Sequence, residues 1–419
     1  FVPKLEGCDT LISFLNHFLI KRKNESVGMK LSVYDNHQVP LDSYWEEVNE
    51  ARVYRYNLEE IFNSVMATTY QVEFFSANNL FIPFPAVVVE HKNRNSNNII
   101  HSYNRILNDF SDEYYVNANQ VKEASIDLLN DDNFTTAIVF QTGPSEVKGK
   151  IIIELDYNGK NEKHGIELNC KPFEVRRFDI ADLTNEKISM GVCKVKQPYQ
   201  FMFYGRLLAG LFSKKQRGVF AANHSYYDNS EVSEYFTNNT SSRICPYFKG
   251  KSNSLHFYPI NSPSKLKVVL EVKEEEFDVG EIESPGSNVL MINVDEVFEE
   301  HGVDVSCYNL KCISKEKIPT RTNHQLVVGD LDSPLKASIN ISLLNDEVFY
   351  PGNKKSLCWG SFYLDKSYDT LLSLLSKTKP LGLKGILRFY DEIGKVYSID
   401  VDVPKYEAFI LSSKDLFDH

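Results

Sequence analysis

The chain has 419 residues, of which 42% are hydrophobic and 25% are charged, with a formal net charge of −11. These values are typical of an ordinary globular chain of about three domains, and they exclude global disorder and a fibrous repeat. The acidic balance argues against a surface built mainly for nucleic acid or anionic lipid.

The cysteines and the apolar runs exclude further classes of protein. The seven cysteines include no CxxC pair, so the sequence predicts neither a disulfide framework nor a metal site, and we expect no cofactor. No run of 18 apolar residues occurs, which predicts no transmembrane segment. No signal peptide is visible at the start of the sequence, and the compartment is left open.

Four short segments share the pattern of a helix cap. Each opens with Asn, Asp or Ser, has an acid three residues later, and then a large apolar residue. The first side chain of such a segment accepts hydrogen bonds from the unpaired amides of a helical turn. The ends of the segments lie 115 to 121 residues apart, which indicates an internal repeat. In chain order they are Asn57–Phe62, Asp179–Leu183, Asn293–Phe298 and Ser412–Phe417.

Strand-like segments precede each capped turn. Residues 29–33 and 266–272 alternate mainly between apolar and polar side chains, as a strand with one buried face does. We expect six or seven short strands in each repeat, which predicts an antiparallel β-sandwich of the immunoglobulin or fibronectin type. An opening strand is predicted in every repeat, at 10–18, 136–140, 254–258 and 370–375.

The repeat length predicts an all-β chain of tandem immunoglobulin-like sandwiches, with three complete units and part of a fourth. The predicted bounds are 1–120, 121–245, 246–365 and 366–419. A partial sandwich leaves an apolar face and strand edges bare. Residues 366–419 are therefore expected to continue into further chain or to dock on another unit or subunit, which would form an oligomer.

One part of the sequence gathers side chains suited to a polar ligand. Aromatic faces pack on sugar C–H groups, while imidazole, carboxylate and guanidinium groups bond to hydroxyls or to a carboxylate. The competing interpretation is a recurrent strand whose His and Tyr tips bond to backbone, and the third repeat has no His at this place. The candidate ligand-binding residues are His101, Tyr103, Arg105, Arg206, His224, Tyr226, Tyr227 and Asp228.

Trp45 is one of two tryptophans in the chain. It follows Tyr44 in a polar stretch, so we expect it to be exposed, where an indole ring serves as a stacking platform.

Motifs of common catalytic sites are missing: the sequence has no G-x-S-x-G, H-E-x-x-H, P-loop or G-x-G-x-x-G. We assign no catalytic residue and expect a non-enzymatic tandem β-sandwich protein with a binding or scaffolding role. Its expected partner is a glycan or a protein, and not nucleic acid. Two alternatives stay open: a carbohydrate-active enzyme or accessory subunit with a pocket between units, and a structural protein completed by a neighbouring chain.

Overall fold

The chain forms antiparallel sheets throughout, so the predicted fold class of tandem β-sandwiches is confirmed. It divides into two compact units, one of residues 1–226 with 388–397 and the other of residues 227–387 with 398–419. The predicted bounds of the single repeats stay a prediction. The computed structural model describes residues 1–63, 66–77, 87–113, 123–226, 235–345, 360–365, 367–375 and 382–416.

Two four-stranded sheets form the first sandwich, called sandwich 1. Met29 and Leu31 of one sheet and Ile12 and Phe14 of the other are buried in one apolar core. The first sheet has the order β1 (Val2–Pro3), β6 (Thr69–Ser76), β3 (Val27–Tyr34) and β4 (Asp42–Glu47). The second has the order β5 (Val53–Asn57), β2 (Asp9–Leu15), β7 (Val88–Lys92) and β8 (Asn97–His101).

Sandwich 2 repeats this strand order. Ile151, Ile153 and Leu155 alternate along its third strand and are fully buried, as the period-two pattern requires. One sheet has the order β10 (Glu123–Asp127), β15 (Val192–Lys196), β12 (Val147–Tyr157) and β13 (Lys160–Cys170). The other has the order β14 (Val175–Asp179), β11 (Phe134–Gln141), β17 (Leu208–Ser213) and β18 (Phe220–His224).

A two-stranded ladder joins sandwich 1 to sandwich 2. β9 (Arg105–Ile106) pairs antiparallel with β16 (Phe203–Tyr204), so that Tyr204 lies opposite Arg105. The chain that leaves one sandwich is thereby tied to a loop of the next.

Sandwich 3 lies in the second compact unit and has the same strand order, extended by one strand. One sheet has the order β22 (Glu275–Ser284), β21 (Ser264–Val272), β24 (Cys307–Ile313), β19 (Thr240–Pro246) and β27 (Leu344–Asn345). The other has the order β23 (Leu290–Asn293), β20 (Ser252–Tyr258), β25 (Asn323–Gly329) and β26 (Ala337–Asn340). The repeat thus has eight strands, not the predicted six or seven, because edge strands as short as Val2–Pro3 carry no periodic signal.

The remaining strands reproduce four of the eight strands of the repeat. Ile393 is 86% exposed and Ile386 is 55% exposed, as expected for apolar residues of a partial sandwich. The predicted docking of residues 366–419 on a neighbour stays a prediction. The pairs are β28 (Leu371–Leu374) with β31 (Phe409–Ser412), and β29 (Leu383–Tyr390) with β30 (Val396–Val403).

Short helical segments follow the fifth strand of every repeat. As predicted, Asn57 and Asn293 each accept a backbone amide two residues on, at 3.2 Å, and Ser412 accepts the Lys414 amide at 3.1 Å. Phe62 and Phe298 are buried, and Phe417 lies outside the described residues. The segments are α2 (Leu58–Phe62), a 3₁₀ turn (Ile180–Asp182), α3 (Val294–Glu300) and a second 3₁₀ turn (Lys414–Leu416).

The predicted strand over 10–18 is too long. It ends at Leu15, because the side chain of Asn16 accepts the Leu19 amide at 3.1 Å and begins a helix, α1 (His17–Arg22). Phe18 is therefore a buried helical residue. In the part of the chain that the structure describes, no helix is long and apolar enough to cross a membrane.

The predicted cap at Asp179 is wrong. Its side chain makes no capping hydrogen bond and instead accepts the Arg177 guanidinium, with Nη2 to Oδ1 at 2.6 Å. The amide of Ala181, which a cap would have bonded, donates to the hydroxyl of Thr135 on β11 at 3.1 Å. A side chain of a neighbouring strand thus accepts the free amide of the turn, and the Asp179 carboxylate forms a surface ion pair instead.

This difference predicts unequal effects of two matched substitutions. Asn57→Ala should lower the free energy of unfolding by about 1 kcal/mol, because an amide of α2 loses its cap. Asp179→Ala should lower it by no more than about 0.5 kcal/mol, because an exposed ion pair contributes little. Urea unfolding followed by circular dichroism measures both, and a larger loss for Asp179→Ala would contradict the assigned roles.

Candidate functional site

The ends of two equivalent edge strands carry the candidate site. His101 is the last residue of β8 and His224 is the last residue of β18, and these are the eighth strands of sandwiches 1 and 2. Tyr227 and Asp228 lie outside the described residues. The other six residues selected from the sequence lie close together in the first compact unit: His101, Tyr103, Arg105, Arg206, His224 and Tyr226.

A shared apolar core holds the two strands together. Phe212 and Phe220 of sandwich 2 stack with ring centroids 4.6 Å apart, and they belong to the same cluster as Ile12 and Val89 of sandwich 1. Burial of two phenylalanine side chains stabilises such a contact by several kcal/mol. Sandwiches 1 and 2 therefore form one packed body.

Side-chain amides connect the backbones of the two sandwiches. The Oδ1 of Asn98 accepts the Ala222 amide at 2.8 Å, and the Oδ1 of Asn104 accepts the Arg206 amide at 2.7 Å. Asn104 also donates to Gln141 at 2.8 Å and is itself buried. The backbone position of Arg206 is thus fixed by a residue from the other sandwich.

Two glycines allow the backbones to touch at the far end of β18. Gly7 and Gly218 have φ values of +82° and +70°, a left-handed conformation that favours glycine. A Cβ on Gly218 would lie 2.3 Å from the carbonyl oxygen of Gly7. Any larger residue at position 218 would therefore push the sandwiches apart.

His224, His101 and Arg206 form a hydrogen-bonded chain. The Nε2 atoms of the two imidazoles lie 2.8 Å apart, Arg206 Nη1 lies 3.0 Å from His224 Nδ1, and His101 Nδ1 lies 2.7 Å from the Ser102 carbonyl oxygen. The same His224 Nδ1 lies 3.1 Å from the Ser225 carbonyl oxygen, so it faces a donor and an acceptor at once. Because arginine only donates and a carbonyl only accepts, this nitrogen accepts from Arg206 when it is unprotonated and donates to Ser225 when it is protonated. The bond between the two Nε2 atoms needs a single proton, which two neutral rings supply.

Burial and charge both keep the pair neutral. The pKa of His224 is lowered to about 3, chiefly by burial and in part by the positive charge of Arg206. The pKa of His101 is also lowered, chiefly by desolvation and in part by the charge of Arg206. Nearby, burial lowers the pKa of His91 to about 4, and neither ring nitrogen of His91 has a hydrogen-bond partner among the described residues. Positive charge in this region resides on the arginines.

Tyr204 brings two guanidinium groups together. Arg206 donates to its hydroxyl with Nη2 at 2.8 Å, and the Cζ atoms of Arg105 and Arg206 both lie 5.4 Å from its ring centroid. Asp112 accepts from Arg105 at 3.1 Å, a bond that lowers the pKa of this carboxyl. Sequence reasoning did not select Tyr204. Its position in the sequence run from Phe203 to Arg206 is the feature that could have indicated it. The pairing of β9 with β16 places Tyr204 opposite Arg105.

The selected tyrosines differ in exposure. Tyr103 is buried, with its ring centroid 6.3 Å from that of His224, and burial raises its pKa. Tyr226 is half-buried, at 5.9 Å from the same ring. Tyr226 is therefore partly exposed, as Tyr204 is, whereas Tyr103 packs in the interior beside His224.

A separate cleft of about 470 Å³ lies in the second compact unit. Its lining includes the apolar Leu371 and Ile410 and three lysines, two of which pair with acids. Lys249 lies 3.0 Å from Asp304, and Lys251 lies 2.8 Å from Asp330. Exposed ion pairs of this kind leave little net attraction for an ionic ligand.

In the described part of the chain, metal-binding side chains do not cluster and the cysteines are buried. Over the residues that the structure describes, no group of three or more His, Cys, Asp or Glu side chains could hold a metal ion. The six cysteines in those ranges are buried and free. Burial raises the pKa of Cys245 to about 12, so its thiol stays protonated at neutral pH.

Comparisons with known proteins leave the function of this chain open. No family model matches the chain, and no curated protein matches it. One similar solved structure is the FN1–FN3 domains of chicken CNTN1, at 10% sequence identity, covering 81% of this chain and 97% of that one with a TM-score of 0.10. The candidate site must therefore be interpreted from its own geometry.

The lowered pKa of His224 predicts an acid-sensitive contact. Its folded-state value of about 3 lies below the ordinary 6.5, so its contribution to stability is complete above pH 6.5 and is lost as pH falls toward 3. From pH 7 to 4.5, wild type should lose about 2 kcal/mol more unfolding free energy than His224→Gln, which has no titrating ring. Urea unfolding at both pH values measures this difference. Equal losses of unfolding free energy in the two proteins would contradict this prediction. The titration of His91 contributes equally to both proteins, because both keep this residue.

Proposed function

We propose that this chain is a non-enzymatic binding protein whose paired sandwiches capture an acidic glycan. The observation that carries the proposal is the position of Arg206, which lies 2.8 Å from the Tyr204 hydroxyl and 3.0 Å from His224, while the guanidinium of Arg105 lies over the same tyrosine ring. The tandem β-sandwich fold supplies the rigid frame.

Two guanidinium groups at one tyrosine ring favour a carboxylate ligand. Guanidinium binds a carboxylate through two parallel N–H donors, which gives direction as well as energy. The neutral His101 and His224 hold Arg206 without adding a charge of their own. Tyr226, half-buried with its ring centroid 5.9 Å from that of His224, places an aromatic group at the surface for sugar C–H groups. A uronic acid residue combines a carboxylate with such C–H groups.

The charges of this cluster favour binding over hydrolysis. Retaining and inverting glycosidases need a carboxylic acid with a raised pKa to protonate the leaving group. The pKa of Asp112 is instead lowered by its bond to Arg105. A carboxylate held ionised in an arginine pair positions that arginine and is a poor proton donor.

A charge-matched pair of ligands tests this proposal. The Kd of the wild type for a galacturonic acid tetrasaccharide should rise at least tenfold in Arg206→Gln, because one charge-assisted hydrogen bond contributes about 1.5–3 kcal/mol. The fully methyl-esterified tetrasaccharide, which lacks the carboxylates, should bind weakly to both proteins. Isothermal titration calorimetry gives these affinities.

Arg177→Gln is the matched control. Arg177 also lies over an aromatic ring of sandwich 2, with its Cζ atom 4.3 Å from the Phe212 centroid, but it pairs with Asp179 and not with a histidine. Its loss should leave the affinity for the acidic tetrasaccharide unchanged. The proposal is overturned by equal weakening in both variants, by equal affinity for the two ligands, or by no binding to the wild type.

A further inference from the structure

The outer face of the first sheet of sandwich 1 carries an exposed aromatic pair. Lys30 of β3 lies opposite Trp45 on one side and Glu73 on the other, while Gly28 lies opposite Phe75. Residues paired in this way point to the same side of a sheet. Met29 and Leu31, which alternate with these positions, are buried on the inner side. Trp45 and Phe75 therefore share the solvent face, 60% and 46% exposed.

The two rings meet across the central strand. Phe75 and Trp45 lie on strands at either side of β3, yet their ring centroids are 5.4 Å apart with planes inclined by 31°. A Cβ on Gly28 would have a single neighbour within 4 Å, the Glu46 carbonyl oxygen at 3.9 Å. The rings therefore pack on each other and leave the space directly above this glycine open.

Polar groups border the two rings. The ammonium group of Lys30 lies 5.3 Å from the Trp45 ring centroid and 3.6 Å from the Glu73 carboxylate. This ion pair offers both a donor and an acceptor, as a sugar hydroxyl requires. Glu47, opposite Gly28 on β4, adds a second negative charge to the face. The surroundings therefore favour a neutral ligand over an anionic one.

The size of the patch also limits its occupant. An aromatic side chain has about 150–250 Å² of surface, so the exposed parts of the two rings present on the order of 200 Å². A stable protein interface needs about 800 Å² from each partner. The patch has the size of one or two sugar rings.

From these observations we propose that Trp45 and Phe75 form a stacking platform for a neutral, β-linked oligosaccharide. Its flat ribbon presents C–H groups to the rings and hydroxyls to Lys30 and Glu73. This platform is separate from the cluster at His224, since it lies on the other sheet of sandwich 1. It does not depend on the function proposed for that cluster.

Binding of cellotetraose tests the platform. In a Trp359→Phe background, Trp45 is the one remaining indole, and its fluorescence should change on titration with cellotetraose. Trp45→Ala and Phe75→Ala, measured by calorimetry, should each raise the Kd at least tenfold. Maltotetraose, whose α-linkages curve the chain away from a flat surface, should bind at least tenfold more weakly than cellotetraose.

Trp45→Leu separates the platform from the fold. Trp45 is an exposed strand residue, so the variant should keep the melting temperature of the wild type while the loss of the flat ring weakens binding at least tenfold. Arg206→Gln should leave cellotetraose affinity unchanged, which distinguishes this platform from the acidic-glycan site. The proposal is overturned if the wild type does not bind cellotetraose, if Trp45→Leu binds normally, or if sedimentation shows a dimer that Trp45→Ala abolishes.

Discussion

The candidate site depends on the packing of sandwich 1 against sandwich 2. Domains of one chain usually move relative to each other unless a large apolar interface holds them. Here Phe212 and Phe220 join the core of the neighbouring sandwich, and Asn98 and Asn104 satisfy backbone amides across the boundary. Because both kinds of contact act together, two histidines from different sandwiches are held within hydrogen-bonding distance.

That packing also sets the electrostatics of the cluster. Burial makes protonation of His224 unfavourable, so the neutral imidazole does not repel Arg206, whose Nη1 lies 3.0 Å from its Nδ1. The guanidinium is consequently oriented before any ligand arrives, which reduces the entropy lost on binding. The same neutral ring makes the contact sensitive to acid, since a second charge beside Arg206 would destabilise it.

Much of the fold could be predicted because strand periodicity and spacing are local. The repeat indicated that His101 and His224 occupy equivalent places. Their contact depends on how the two sandwiches pack, and the spacing of residues along the sequence gives no information about that packing. Asp179 failed as a cap because Thr135, distant in sequence, bonds the turn. Tyr204 was missed because it reaches Arg105 through a two-residue ladder that has no periodic pattern. An exposed Trp45 was expected from its polar surroundings, whereas its partner ring across β3 was not.

Hydrogen exchange at two amides tests the central claim most directly. The amides of Arg206 and Ala222 donate to side chains of sandwich 1, so native-state exchange should show them protected nearly as strongly as the β11–β17 ladder. Gly218→Ala places a Cβ against the Gly7 carbonyl oxygen, so the amides of Arg206 and Ala222 should lose their protection from exchange, while the amides of the β11–β17 ladder stay protected. Rapid exchange of these two amides in the wild type, or no change in Gly218→Ala, would contradict a site held by the packing of the two sandwiches.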